Sequence, residues 1–248
     1  MTGFTAVSSG RTAWVFGTFM LRASLRDGRT TATVLLTPVL MALVFRFVGE
    51  GAATFVLFFP AVLTMSLMFV GLPLATRIVT WRVRGVFRRL ACTPQPLGRL
   101  LLALAAGSAG LGFVQALLIL ALGGVLGVPL RARLVGGMLP FLALGALCFT
   151  AYGVLLAGFA RQPEAVNVLY VFTLLPMTFA APVFVPSTAL PPLVARVAAW
   201  LPPALLARGL QAHLLPQHPP EPLAGLMVGL LTYTLVFSMV SMRRFRRL

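Results

Sequence analysis

The most informative stretch of the chain reads FVLFFPAVLTMSLMFVGLPLA and runs from Phe55 to Ala75 without a charged side chain. Its length matches one helical crossing of a bilayer, because a spanning helix needs about 20 predominantly apolar residues. Five other apolar runs resemble it. The six candidate spans are Thr33 to Val48, Phe55 to Ala75, Leu100 to Val128, Val135 to Ala160, Val166 to Val185 and Leu223 to Met242. These runs predict an all-α membrane protein with about six transmembrane helices.

The composition of the whole chain agrees with this fold class. Of its 248 residues 59% are hydrophobic and 10% are charged, whereas a soluble domain carries about 25% charged residues. The formal charge of +16 comes from 20 basic residues, all of them arginine, against four acids. Such an excess can indicate nucleic acid as the partner. The arginines lie between the apolar runs, however, so we expect contact with membrane lipids and none with nucleic acid.

The distribution of arginine predicts how the spans are oriented. With the N-terminus inside, the cytoplasmic segments hold 15 arginines and the outer segments hold 5. Cytoplasmic loops of membrane proteins carry an excess of Lys and Arg. We therefore expect a multi-pass protein of the plasma (inner) membrane with both termini in the cytoplasm.

Three segments between or before the spans have a pattern of their own. Residues 8–29 place four arginines on one arc of a helical wheel, which favours an interfacial helix on the inner leaflet over an irregular basic tail. Residues 186–221 are rich in proline yet apolar, which is typical of short helices that enter the outer leaflet and return. The residues that mark this outer re-entrant segment are Phe184, Pro186, Leu190, Pro191, Trp200 and Pro202.

The third segment, residues 77–99, is an amphipathic stretch after the second span. On a helical wheel its apolar residues share one arc, the arginines lie opposite, and Thr93-Pro94 ends the helix. A helix of this kind can lie on lipid headgroups or place its apolar stripe in the groove of a partner protein. The residues concerned are Arg82, Val83, Arg84, Val86, Phe87, Arg88 and Leu90.

Several kinds of chemistry are missing from the chain. A phosphate-binding loop of the form G-x-x-x-x-G-K-[ST] needs a lysine, and the sequence has none. The two histidines, His213 and His218, have no cysteine or carboxylate cluster beside them, so no metal site and no catalytic residue is predicted. The chain is thus expected to bind no cofactor and to catalyse no reaction itself. The polar residues that could line a pathway within the bundle are Gln115, Tyr152, Asn167 and Tyr170.

Two segments carry a family likeness. The run GVFRRLACTP from Gly85 to Pro94 resembles the cytoplasmic loop of the type 2 ABC exporter permeases, where G-T-L-x-R-L-x-x-T-P follows the second span and forms the coupling helix. Downstream, Asn167 to Met177 and the prolines from Pro186 to Pro202 are similar to the outer segment of the same family. The family often has acidic residues just before the coupling helix, where this chain has Trp81 and Val83.

The resemblance implies a fold, partners and an activity. It implies a single permease domain, residues 1–248, that pairs with a second permease copy or a paralogue. Two copies of a cytoplasmic ATP-binding subunit would dock on the coupling helix and hold ATP and Mg. The implied cargo is an amphipathic, drug- or antibiotic-like molecule or a lipid; the alternatives are a lipid-linked polysaccharide exporter and a non-transporting membrane scaffold. The segments are 1–30 (interfacial helix), 31–76 (spans 1–2), 77–99 (coupling segment), 100–185 (spans 3–5), 186–221 (outer re-entrant segment) and 222–248 (span 6 and basic tail).

Overall fold

The computed structural model describes residues 28–48, 52–91, 97–130, 132–180, 191–215 and 222–245, and every regular element within these ranges is an α-helix. Most of the predicted interfacial helix, residues 1–27, lies outside them. The helices are α1 (Gly28–Val48), α2 (Ala52–Met68), α3 (Gly71–Val83), α4 (Val86–Ala91), α5 (Leu97–Val125), α6 (Ala132–Phe159), α7 (Pro163–Ala180), α8 (Pro192–Ala198), α9 (Pro202–Leu214) and α10 (Leu223–Phe245).

The number of membrane crossings can be compared with the six apolar runs. Among the described residues, four helices are long and apolar enough to span a bilayer, and α8 with α9 would make a fifth if that bent pair is one span. The four are Thr54–Val83, Gly98–Val125, Leu134–Phe159 and Leu223–Phe245. The first and fifth predicted spans correspond to shorter apolar helices, Pro38–Phe47 and Pro163–Phe179. The chain is a multi-pass helical membrane protein with four to five candidate spans.

The second predicted span is longer than expected and is broken in the middle. It continues eight residues beyond Ala75 to Val83 and changes from α2 to α3 at Phe69–Val70. The cause is Pro73, which has no N–H to donate to the carbonyl of Phe69 and whose ring would clash there. Leu72 N–H bonds to Phe69 O instead, at 3.2 Å. Helix α3 runs through residue 76, so the end of the predicted second span and the start of the predicted coupling segment share one helix.

Helix α6 is the centre of the bundle. It packs against α2, α3, α5, α7, α9 and α10. The main core contains large buried side chains from α2, α5, α6, α7, α9 and α10, among them Phe59, Leu67, Phe141, Phe149 and Tyr170. A second cluster lies where α3 ends and α7 begins and includes Leu74, Ile78, Leu104, Ala160 and Val166.

This second cluster identifies one end of the bundle, where α3, α6 and α10 end and α5 and α7 begin. We call it the arginine end, because nine of the described arginines lie on these helix ends or directly after them. They are Arg77, Arg82, Arg84, Arg88, Arg89, Arg99, Arg161, Arg243 and Arg244. At the opposite end, Arg46 Nε donates to the carbonyl of Leu126 at 3.1 Å. Arg46 and the nine arginines of the arginine end therefore lie at different ends of the bundle.

Candidate functional site

The tip of the arginine end is a sharp turn between α3 and α4. Arg84 N–H bonds to Thr80 O at 2.9 Å and Gly85 N–H bonds to Arg82 O at 3.1 Å, which closes the last turn of α3. Gly85 has φ +67°, a left-handed conformation that glycine adopts without a steric penalty. The chain changes direction there and starts the six-residue α4. The amphipathic segment is thus two helices, and the single continuous wheel that placed Val83 beside Val86 is wrong.

Phe87 holds α4 against the bundle. Its ring is partly buried and meets the ring of Trp81 edge-on, with 6.4 Å between the centroids. Both rings pack on the cluster of Leu74, Ile78 and their neighbours. An isolated helix of six residues is unstable in water, so this aromatic contact is what keeps α4 in place. Trp81, which stands where the resembling family often has an acid, contributes directly to the shape of the tip.

The other predicted docking residues are distributed over both helices. Val83 is 61% exposed, Arg84 is exposed, and Val86 is partly buried. Arg82 is engaged within the chain, because its Nη2 donates to the carbonyl of Ala160 at the end of α6. A cation at this place satisfies an unpaired carbonyl and complements the helix dipole. Arg88 and Leu90 lie on α4.

A second candidate site surrounds the break between α2 and α3. Because Leu72 N–H is bonded to Phe69, the carbonyl of Met68 has no intrahelical partner, and the hydroxyl of Tyr170 donates to it at 2.7 Å. Tyr170 is completely buried and meets Tyr152 edge-on, with centroids 5.4 Å apart. The hydroxyls of Tyr152 and Thr173 are hydrogen-bonded to each other. Neighbouring helices commonly satisfy backbone groups that are freed by a break in a membrane helix, and Tyr170 does so here.

A close crossing of α3 and α6 lies directly beside this break. A Cβ on Gly153 would be 2.7 Å from the Cα of Gly71, and a Cβ on Gly71 would be 3.0 Å from both the Cα of Gly153 and the Tyr170 hydroxyl. Real Cβ atoms essentially never approach so closely, so only glycine fits at either position. Small residues allow two membrane helices to come together in this way. The crossing brings Tyr152 and Tyr170 within reach of the broken span.

The structure brings only part of the predicted pathway residues together. Tyr152 and Tyr170 are neighbours, whereas Gln115 is buried on α5 and Asn167 is exposed on α7. Sequence reasoning missed Gly71, Gly153, Thr173 and the carbonyl of Met68. The sequence does contain a signal for the break, since Gly71 and Pro73 stand in the middle of an apolar run.

The predicted outer segment is described from Pro191 onward, and Phe184, Pro186 and Leu190 lie outside the described residues. Helices α8 and α9 meet at 83°. Pro202 starts α9 at a position where proline is favoured, and Trp200 before it is 71% exposed. Helix α9 is buried: a Cβ on Gly145 of α6 would lie 2.9 Å from Leu206. The two helices differ in burial, since α8 is mostly exposed and α9 packs inside the bundle, and the re-entrant character of the segment stays a prediction.

His213, on helix α9 of this segment, makes contacts within the bundle. His213 Nδ1 lies 2.8 Å from the carbonyl of Gly209, and its ring packs beside Phe141 with centroids 5.8 Å apart. Across the ranges that the structure describes, no group of three or more His, Cys, Asp or Glu side chains could hold a metal ion.

The protein family described as ABC-2 type transporter matches residues 13–215, which is most of the chain and includes both candidate sites. No curated protein matches the chain.

Proposed function

The chain belongs to the ABC-2 type transporter family, and from this premise we propose that it is the membrane-spanning permease subunit of an ATP-binding-cassette exporter. The observation that carries the proposal is the family match over a multi-pass helical fold. We further propose that the cargo is an amphipathic small molecule or a lipid that leaves the cytoplasm. A lipid-linked polysaccharide is the alternative cargo.

The energy for transport is proposed to come from a partner. Proton- and ion-coupled transporters place ionisable groups within their spans. Glu164 is the one carboxylate among the residues that the structure describes, and it is exposed in the first turn of α7. The chain also lacks a lysine for a phosphate-binding loop. Two cytoplasmic ATP-binding subunits would therefore hold ATP and Mg, one for each of two permease subunits.

The tip between α3 and α4 is the proposed docking surface for these subunits. It combines an aromatic ring, an exposed Val83 and exposed Arg84 and Arg89 at one end of the bundle. An aromatic anchor with charges around it is the usual composition of an energetically important contact, in which the charges mainly set orientation.

The proposed function can be tested by reconstitution. The chain should copurify with an ATP-binding subunit, and vesicles that contain both should accumulate an amphipathic dye only when ATP is supplied. A hydrolysis-deficient ATP-binding subunit is the control. A chain that purifies alone and moves no dye or lipid would instead support the membrane scaffold, and ATP-driven movement of a glycolipid alone would support the polysaccharide exporter.

The orientation of the bundle is a separate prediction. We expect the arginine end to face the cytoplasm, since cytoplasmic segments are rich in arginine. In a background of Cys92→Ser with Cys148→Ala, a membrane-impermeant maleimide should label Arg89→Cys only after the cells are permeabilised. Pro129→Cys, in the exposed connection between α5 and α6, is the control and should be labelled in intact cells. The opposite labelling pattern would invert the proposed topology.

A further inference from the structure

We propose that the arginine end contains a binding site for the headgroup of an anionic phospholipid, formed by Arg161, Arg243 and Arg244 around Phe159. These residues lie where α6 and α10 end side by side. The site is distinct from the docking tip on α3 and α4, and the inference does not depend on the identity of the cargo or of the ATP-binding partner.

Arg244 is fixed in position by α6. A Cβ on Gly158 would lie 3.2 Å from Cγ of Arg244, so the stem of this arginine lies over the glycine, where a larger residue would displace it. Its guanidinium carbon lies 5.0 Å from the centroid of the Phe159 ring, a cation–π contact. An exposed arginine normally samples many rotamers. This one is held against Gly158 and Phe159 at the end of α6, and Arg161 follows Phe159 two residues later in the chain.

The charge around this point is not balanced within the described part of the chain. Arg161, Arg243 and Arg244 are all exposed. Glu164, the one described carboxylate, is not paired with any of them. The fourth arginine nearby, Arg82, is already bonded to the carbonyl of Ala160. Cations that converge without a counter-ion repel one another, and an anion placed between them is stabilised.

The surface next to the arginines shows which kind of anion fits. In the two turns of α10 that precede Arg243, several apolar side chains are exposed. They are Leu235, Val236, Met239, Val240 and Met242. A ligand that covers both features needs a negative head and apolar chains, which describes a phospholipid in the leaflet at this end of the bundle. A soluble anion would use the arginines and leave the apolar stripe uncovered.

The alternative of a second copy of the chain is disfavoured by its charge. The sequence has four acids in 248 residues against 20 basic residues, so the same end of another copy brings mainly further arginines. The experiment below distinguishes lipid from a protein of opposite charge as the occupant.

The experiment measures lipid affinity of the purified full chain in detergent, without the ATP-binding subunit. Phosphatidylglycerol is titrated against the thermal unfolding midpoint, with phosphatidylcholine as the neutral reference. We expect phosphatidylglycerol to raise the midpoint of the unmodified chain more than phosphatidylcholine does. Because each arginine near anionic lipid contributes about 1 kcal/mol, Arg161→Gln with Arg244→Gln should weaken the apparent affinity by about thirtyfold.

Two further variants keep the result interpretable. Arg84→Gln with Arg89→Gln removes the same charge from the tip, and it should change the affinity for phosphatidylglycerol by less than threefold. Arg161→Gln alone removes a side chain with no described contact, so it should leave folding intact and weaken binding by about fivefold.

Three outcomes would overturn the proposal. An equal loss in the Arg84 and Arg89 variant would mean that the lipid senses overall charge and not this site. An equal rise of the midpoint with inorganic phosphate would mean a soluble anion. Unchanged lipid affinity in the Arg161 and Arg244 variant would mean that these arginines do not bind lipid, and a separate pull-down in which this variant loses the ATP-binding subunit would mean that the surface contacts protein.

Discussion

Replacing Gly153 by alanine should destabilise the protein, whereas the same replacement at Gly110 should leave it equally stable or slightly more so. At Gly153 the added methyl group would lie 2.7 Å from the Cα of Gly71. The Cα of Gly71 belongs to the backbone of α3, which cannot move aside without the rest of the helix. Inserting a group into a close-packed contact of this kind costs about 1–3 kcal/mol. At Gly110 nothing lies within 4 Å of the added atom, and alanine favours a helix by up to about 1 kcal/mol.

The measurement is the thermal unfolding midpoint of the two purified variants in the same detergent. Tyr170→Phe provides a graded comparison, because it keeps the ring and removes only the hydroxyl that bonds to Met68 O. Leaving that buried carbonyl unsatisfied should cost about 1–3 kcal/mol. Equal midpoints for Gly153→Ala and Gly110→Ala would show that α3 and α6 do not cross as closely as described.

The second large effect is expected at the docking tip. Phe87→Ala should weaken binding of the ATP-binding subunit by about 2 kcal/mol, which is roughly thirtyfold in affinity. The ring packs on Trp81 and on the apolar cluster at the end of α3. Its loss should release the short α4, so the docking surface is disrupted whether or not the ring itself enters the partner's groove. Membrane insertion should be unaffected.

Pull-down of the ATP-binding subunit at low and high salt measures this effect. Phe172→Ala is the matched control, because Phe172 is 78% exposed on α7 and away from the tip. Arg88→Ala should have a smaller effect that shrinks at high salt, since salt screens the attraction between charges of two proteins. If α4 instead lies on anionic lipid, the order reverses and the arginine matters more than the phenylalanine. Full binding and coupled transport by Phe87→Ala would contradict the docking assignment.

Much of the architecture could be predicted because lipid imposes a simple rule on composition. An apolar run such as Phe55 to Ala75 must be helical in a bilayer, and the arginines lie in the segments between such runs. The likeness carried by Gly85 to Pro94 led to the correct family. The number of apolar runs was a less reliable guide to the number of membrane crossings, because an apolar run does not show where its helix ends.

The local features were missed for a different reason. A helical wheel assumes one continuous helix, and Gly85 with its positive φ ends that continuity between Val83 and Val86. The contact between Gly71 and Gly153 joins residues far apart in the sequence, so no local pattern encodes it. The role of Tyr170 depends on a carbonyl that only becomes free once Pro73 has interrupted the ladder. Features such as the Gly71–Gly153 contact and the Tyr170 hydrogen bond arise only when the helices pack together, so the sequence of one segment does not predict them.

The break between α2 and α3 also determines how much a movement of α3 displaces α2. A regular helix is held by backbone hydrogen bonds four residues apart, and here two bonds of three-residue spacing, Val70 N–H to Leu67 O and Leu72 N–H to Phe69 O, replace them between α2 and α3. A force applied at α4 would therefore act on α3 as a lever with its pivot at Phe69–Gly71. A rotation of α3 about this pivot would break the bond between Tyr170 and Met68, at a cost of about 1–3 kcal/mol for the buried carbonyl that it leaves unsatisfied, while α2 and the buried α9 beside it keep their positions.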